Sequence, residues 1–161
     1  MLNKIKDYKK IIVIVLAIII LISIDQTSKI LVSGTEKTII GDNVKVVAAQ
    51  NYDGVFGVGQ KDTITFIITN IIVIGIILKF IKVQQEQIDK KTYVALTFII
   101  AGALGNLIDR ITRGYVLKII AIGPVGFNIA DILVVIGWVL LVAFLVVRTM
   151  KLREKKEDKV E

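Results

Sequence analysis

The sequence predicts an all-α membrane protein: a bundle of four transmembrane helices with a small β-containing cradle and a short cap segment on its extracytoplasmic side. Three observations predict it. The 161 residues are 55% apolar with a mean hydropathy of +0.75, above the roughly 45–50% apolar share of soluble domains. Four apolar runs are long enough to cross about 30 Å of hydrocarbon, which takes roughly 20 helical residues. Lys and Arg collect at the same end of all four runs. The length fits one integral membrane domain, residues 1–161.

The first span runs from Ile11 to Val32, with the polar stretch DQTSK near its far end. A basic start before an apolar core also suits a secretory signal peptide. No small-x-small cleavage site follows, so the run reads as an uncleaved helix. Residues 34–62 contain KVVAAQNYDGVFGVG, β character punctuated by glycines, and predict a small sheet on the membrane surface. The second span covers 63–81 and the third 92–108. Residues 111–127 form the cap and hold the single proline, Pro124. The fourth span covers 131–150. The tail, 151–161, reads as a solvated, disordered charge run. The runs are rich in Ile and Val, which suggests strands in water. An open sheet edge is not viable in lipid, so they read as helices.

Fourteen of the 21 basic residues lie on one side. They are Lys4, Lys6, Lys9 and Lys10; Lys79, Lys82, Lys90 and Lys91; and Arg148, Lys151, Arg153, Lys155, Lys156 and Lys159. The positive-inside rule puts both termini in the cytoplasm. A net charge of +7 placed this way speaks for membrane orientation rather than nucleic acid.

The chain has no cysteine and no histidine. Disulfides, thiolate nucleophiles and Ser-His or Cys-His schemes are excluded, and the usual zinc ligands are missing. No metal or other cofactor is expected. Acid–base chemistry is left to carboxylates, lysines, tyrosines and the backbone.

Three acids reach one level of the membrane. At about 1.5 Å per residue, Asp109 lies about 27 Å from Lys91, and Asp131 about 26 Å from Arg148, on spans of opposite direction. Asp25 lies about 22 Å from Lys10, slightly deeper. Charged residues there are costly and usually functional. Asp109 and Asp131 share the frame Asn-x-x-Asp, which puts Asn106 and Asn128 on the same helical faces as the acids. Asn128 suits an N-cap with Asp131 at the third helical position. The positive helix end beside Asp131 makes it the more readily ionised partner, and Asp109, near a helix C-terminus, the proton holder; Arg110 pulls the other way. Two such carboxylates can activate water without a metal: one takes the proton from the attacking water, the other protonates the carbonyl oxygen or leaving amine.

In DQTSK, AGALGNLIDR and FNIAD the sequence resembles the bacterial lipoprotein signal peptidases, metal-free aspartic endopeptidases, in order and over nearly the whole chain. The resemblance implies a protein of the bacterial cytoplasmic membrane with its active site near the outer face. It implies removal of signal peptides from diacylglyceryl-modified prolipoproteins, with cleavage before the lipidated cysteine. It assigns catalysis to Asp109 and Asp131, and substrate binding to Asn51, Asn106, Arg110 and Asn128. Asp25, Lys29, Phe56 and Gly105 support the site. The expected partners are lipid-modified prolipoproteins and membrane lipids, with no nucleic acid, and the chain is expected to be a monomer. Two blocks depart from the pattern. NYDGVF stands for the usual Asn-x-Gly-Ala-Ala-aromatic, keeping Asn51 and Phe56 but placing Asp53 at the glycine. GYVLK places Lys118 where Gly-x-Val-x-Asp carries an acid. These departures bear on the outer cradle and on substrate range.

Plainer readings stand beside these. Asp109 and Asp131 also suit a structural pair satisfied by Asn and Arg. Asp25 and Lys29, four apart, suit an ion pair that supports the fold. Ser33 and Lys29 have the spacing of a Ser-Lys pair, but the lysine already has an acidic neighbour. Ala101 with Gly105, and Gly102 with Asn106, suit close helix packing. Trp138 suits lipid or core contact, Tyr8 and Tyr93 interface anchoring, and Phe56 either packing or substrate contact. The rival functions are a small transporter and a non-catalytic divergent relative. A transporter would show polar groups or broken helices near midplane, and Asn70 is the nearest, in the outer half.

Overall fold

A computed structural model describes residues 2–34, 36–40, 44–52, 63–84 and 88–157. Eight elements follow in order: α1 (Leu2–Val32), β1 (Glu36–Ile40), β2 (Val44–Asn51), α2 (Thr63–Gln84), α3 (Lys90–Arg113), β3 (Val116–Ile122), β4 (Val125–Phe127) and α4 (Ile129–Glu157). All four helices are long and apolar enough to cross a membrane.

α3 is the hub. Of its most apolar stretch 61% is buried, against 6%, 6% and 17% for α1, α2 and α4, although it is the least hydrophobic of the four. Lipid takes the place of water around the other three, so their Ile and Val side chains stay on the outside. Ile77 of α2 packs with Leu96, Ile99 and Ile100 of α3, joined by Ile18 of α1 and Leu141 of α4. Glycines set the α3–α4 distance. A Cβ on Gly102 would collide with the Ala130 carbonyl and stand 2.7 Å from Val134 Cγ2, and one on Gly137 would stand 2.6 Å from Ile99 Cγ1. Ala101, its neighbour on α3, is buried as well.

Helix ends depart from the sequence-based bounds for local reasons. α3 continues past residue 108 to Arg113. It stops at Gly114, whose φ of 77° is cheap only for glycine, and whose N–H reaches Arg110 O at 3.1 Å. Its start is fixed by Asp89, which accepts the Thr92 N–H at 2.7 Å. α1 begins well before Ile11. α4 runs to Glu157, so the tail expected to be disordered is helical through most of its length; Glu, Lys and Arg are good helix formers.

The sheet is antiparallel throughout, in the order β1-β2-β3-β4. Residues 111–127, expected as a separate cap, instead finish α3 and then supply β3 and β4 to the same sheet. Gly123, at φ 57°, and Pro124 turn the β3–β4 hairpin. Between Val46 and Ala49 the β2–β3 register slips, leaving Ala49 opposite Lys118 and Asn51 opposite Val116.

Candidate active site

The sheet lies against the ends of α1 and α3 and the start of α4, and there Asp25, Asp109 and Asp131 sit. Asp25 and Asp109 are fully buried. Lys29, also fully buried, joins them: its Nζ lies 2.6 Å from Asp25 Oδ2 and 2.8 Å from Asp109 Oδ2. The ion pair expected within α1 therefore forms and extends to α3. Arg113, one turn beyond Asp109, pairs with Asp109 Oδ1. Gln26 Nε2 lies 3.1 Å from Asp25 Oδ2, Asp109 Oδ1 and Gly105 O, and its Oε1 accepts from Arg113. The Leu117 N–H of β3 donates to Asp109 Oδ2 at 3.1 Å. Two acids and two bases thus balance in a buried cluster, the arrangement that low dielectric demands.

Asp131 belongs to a second network. Asn128 caps α4 as the sequence predicts: its Oδ1 accepts the Asp131 N–H at 2.8 Å, and its own N–H donates to Asp131 Oδ2 at 2.9 Å. This reciprocal bonding is a capping box. Asn106 Nδ2 donates to Asp131 Oδ1 at 3.0 Å, while Asn106 Oδ1 accepts from Asn128 Nδ2. Lys118 Nζ stands 2.7 Å from Asp131 Oδ2. The Asp131 side chain is 22% exposed, against 0% for Asp109.

The expected contact between Asp109 and Asp131 is not made. Among the described residues no hydrogen bond joins them, and each carboxylate accepts from its own cations. The reason is helical phase. Asn106 and Asp109 are three residues apart, roughly 60° short of a full turn. That offset points Asn106 at α4 and Asp109 at α1 and β3. The networks meet at one residue of β3: Leu117 N–H goes to Asp109, and Leu117 C=O accepts from Asn128 Nδ2 at 3.0 Å. The four groups around the Asp109 carboxylate, from Lys29, Arg113, Gln26 and Leu117, are all N–H donors.

The remaining sequence-selected residues divide. Arg110 is buried, 4.2 Å over the Phe66 ring, with Nη1 3.5 Å from Tyr52 O. It ties α3 to α2 and to the end of β2 rather than facing Asp131. Asn51 ends β2, half-buried. Gly105 lets Asp25 approach α3: a Cβ there would stand 2.9 Å from Asp25 Oδ2. Phe56 and Asp53 lie outside the described residues. Trp138 is 49% exposed on the lipid side. Tyr93 stacks under Lys10 Nζ at 3.3 Å. Asn70 bonds back to Phe66 O within α2. Sequence reasoning did not select Gln26 or Arg113. Arg113 stands four residues from Asp109, and that spacing was the available signal.

A cavity of ≈ 520 Å³ opens beside the buried cluster, lined by Lys29, Ser33, Gln50, Arg113, Tyr115 and Leu117 among others. Asp131 is not part of its wall.

Comparison with known proteins agrees with this architecture. Residues 16–147 match the family described as signal peptidase (SPase) II. The chain is 38% identical over 143 residues to the lipoprotein signal peptidase of Clostridium novyi (strain NT), covering 81% of this chain and 95% of that protein. It is 35% identical over 155 residues to the lipoprotein signal peptidase of Staphylococcus aureus (strain JH9), covering 88% and 93%. A solved bacterial membrane enzyme superposes with a TM-score of 0.75 at 26% identity, covering 85% of this chain and 89% of that one. On fold, motif order and similarity over most of its length, the chain belongs to the signal peptidase II family of aspartic membrane proteases.

Proposed function

We propose that this chain is an endopeptidase that removes signal peptides from diacylglyceryl-modified prolipoproteins, cutting before the lipidated cysteine. One observation carries the site assignment. Of the three acids at the end of the bundle, only Asp131 is partly exposed, and it sits at the positive end of α4. Asp131 is the carboxylate that takes the proton from the attacking water. Asn106 and Asn128 fix its orientation through both oxygens, so they position rather than react. Asp109, first assigned to the same pair, holds Lys29, Arg113 and β3 in place.

The acyl chains of the substrate lie in lipid beside the exposed faces of the helices, and the scissile peptide lies along the sheet at the level of Asp131. The excess of Lys and Arg at the other end of the bundle supports an orientation in the bacterial cytoplasmic membrane with the four-stranded sheet on the outer side and both termini on the cytoplasmic side. In this reading the chain acts as a monomer.

The test is cleavage of a diacylglyceryl-modified prolipoprotein by the purified protein in lipid nanodiscs, with and without chelator, beside Asp131→Asn. The expected result is cleavage indifferent to chelator and abolished by Asp131→Asn. An inert wild type, or full activity in the variant, overturns the proposal.

A further inference from the structure

The residue facing Asp131 across the site is a base. Lys118 ends the block GYVLK, where the family pattern Gly-x-Val-x-Asp has a carboxylate. β3 brings its Nζ to 2.7 Å from Asp131 Oδ2, and the two side chains are 12% and 22% exposed. An aspartate at this position would lie on the same side of β3, toward the same carboxylate. Lys118 is thus the charged side chain that meets Asp131, while Asp109 is taken up by Lys29, Arg113, Gln26 and the Leu117 N–H. The neighbourhood accommodates the lysine. Gly126 on β4 leaves the space its stem fills, since a Cβ there would come within 2.9 Å of Lys118 Cβ and 3.1 Å of Cγ.

We infer that Lys118 is the catalytic partner of Asp131, so that this chain works with an ammonium–carboxylate pair instead of two carboxylates. The inference rests on the peptidase reading above. Asp131 takes a proton from water as the water oxygen bonds to the scissile carbonyl carbon. The Lys118 ammonium donates a hydrogen bond to the carbonyl oxygen as it becomes negative. The C–N bond then breaks, and the leaving nitrogen takes a proton from Lys118. Lys118 recovers it from the Asp131 carboxyl, so the pair returns to its starting state with one water consumed. Each role is general acid–base catalysis of the ordinary kind.

The experiment compares wild type, Lys118→Met, Lys118→Asp and Asp109→Asn on the same lipidated substrate in nanodiscs, with melting temperatures beside the rates. Lys118→Met is expected to fall by about 100-fold or more with its melting transition retained. Lys118→Asp, which restores two facing carboxylates, is expected to cleave. A Lys118→Met enzyme that loses less than about 100-fold overturns the role of the lysine and leaves the peptidase reading intact. A silent wild type with an active Lys118→Asp overturns both, and shows that the lysine shuts a carboxylate site. Silence in both variants and wild type overturns both as well. Asp109→Asn, assayed where it remains folded, is expected to keep more activity than Lys118→Met; the reverse order returns Asp109 to the reacting pair and overturns the inference.

Discussion

Asp25 Oδ1, on the first helix, accepts the backbone N–H of Ala130, in the first turn of the last helix, at 2.8 Å. One carboxylate thus fills an unpaired donor at the start of α4 while its other oxygen holds Lys29. The end of α1 and the start of α4 are set by the same side chain. The position of Asp131, one residue after Ala130, follows from it.

Lys29 is the shared cation of Asp25 and Asp109. Lys29→Met leaves two buried carboxylates without it and is expected to cost about 3–5 kcal/mol, as breaking buried pairs does. Adding Asp25→Asn to Lys29→Met should recover part of the loss, because one uncompensated charge is then removed. Unfolding in mild detergent measures both. A single variant that melts with wild type would show that the cluster is not closed to water.

Asn128 caps α4, bridges Asn106 to the Leu117 carbonyl and fixes Asp131. Asn128→Ala removes the cap and leaves buried partners unpaired, and is expected to cost about 2–3 kcal/mol. Asn128→Asp keeps the cap but turns a buried carboxylate oxygen on the Asn106 oxygen and the Leu117 carbonyl, so it should recover only the capping part of the loss and not the orientation of Asp131. Melting temperature and cleavage rate, read together, separate the two effects. Equal rescue of both would contradict the split.

The contact between α3 and α4 has no room at two glycines. Gly137→Val drives side-chain atoms into Ile99 and the Ala95 carbonyl, and overpacking of this kind costs about 1–3 kcal/mol or more. Gly75 on α2 has open space around its Cβ position, so Gly75→Ala should be neutral or slightly stabilising. The pair of melting curves checks the packing at both places.

The start of α3 responds to pH. The Thr92 backbone N–H, then the Thr92 side chain, hold the Asp89 carboxyl below its usual value of 3.8. A carboxyl lowered in the folded state stabilises above its unfolded pKa and loses that contribution as pH falls through the folded one. The cap should therefore hold at pH 5 and above and weaken below about pH 4. Amide exchange over residues 90–94 should speed up in acid for wild type but not for Asp89→Asn, whose amide oxygen caps at any pH. Equal acid sensitivity in the two proteins would remove the carboxyl from the account.

The helices, and the end of the bundle at which the three acids gather, were legible in the sequence because length, hydropathy and charge asymmetry are properties of local stretches. The Asn128 cap was legible for the same reason: its partners lie three residues away. The pairing of β2 with β3 was not, since residues 44–51 and 116–122 meet across two membrane helices and carry no local mark of each other. The direction of Asp109 was hidden too. Its place toward one end of the bundle depends on residue count, which a sequence supplies. Its neighbour depends on helical phase and on which helix lies on which side, and the sequence does not contain that order in any short window. Lys118 was visible as a departure, but its meaning needed the strand that carries it to Asp131.

The buried cluster also bears on how the chain enters the bilayer. Asp25 and Lys29 pair within α1, and Asp109 and Arg113 within α3, each four residues apart. A lone charge at the centre of a membrane helix costs roughly 2.5–3.5 kcal/mol on insertion scales. Here each helix carries a counter-ion for its own aspartate, so Asp25 and Asp109 can each leave the insertion machinery already paired. The bond from Lys29 to Asp109 forms only when the helices meet, and it becomes a latch between segments that could each wait in lipid alone.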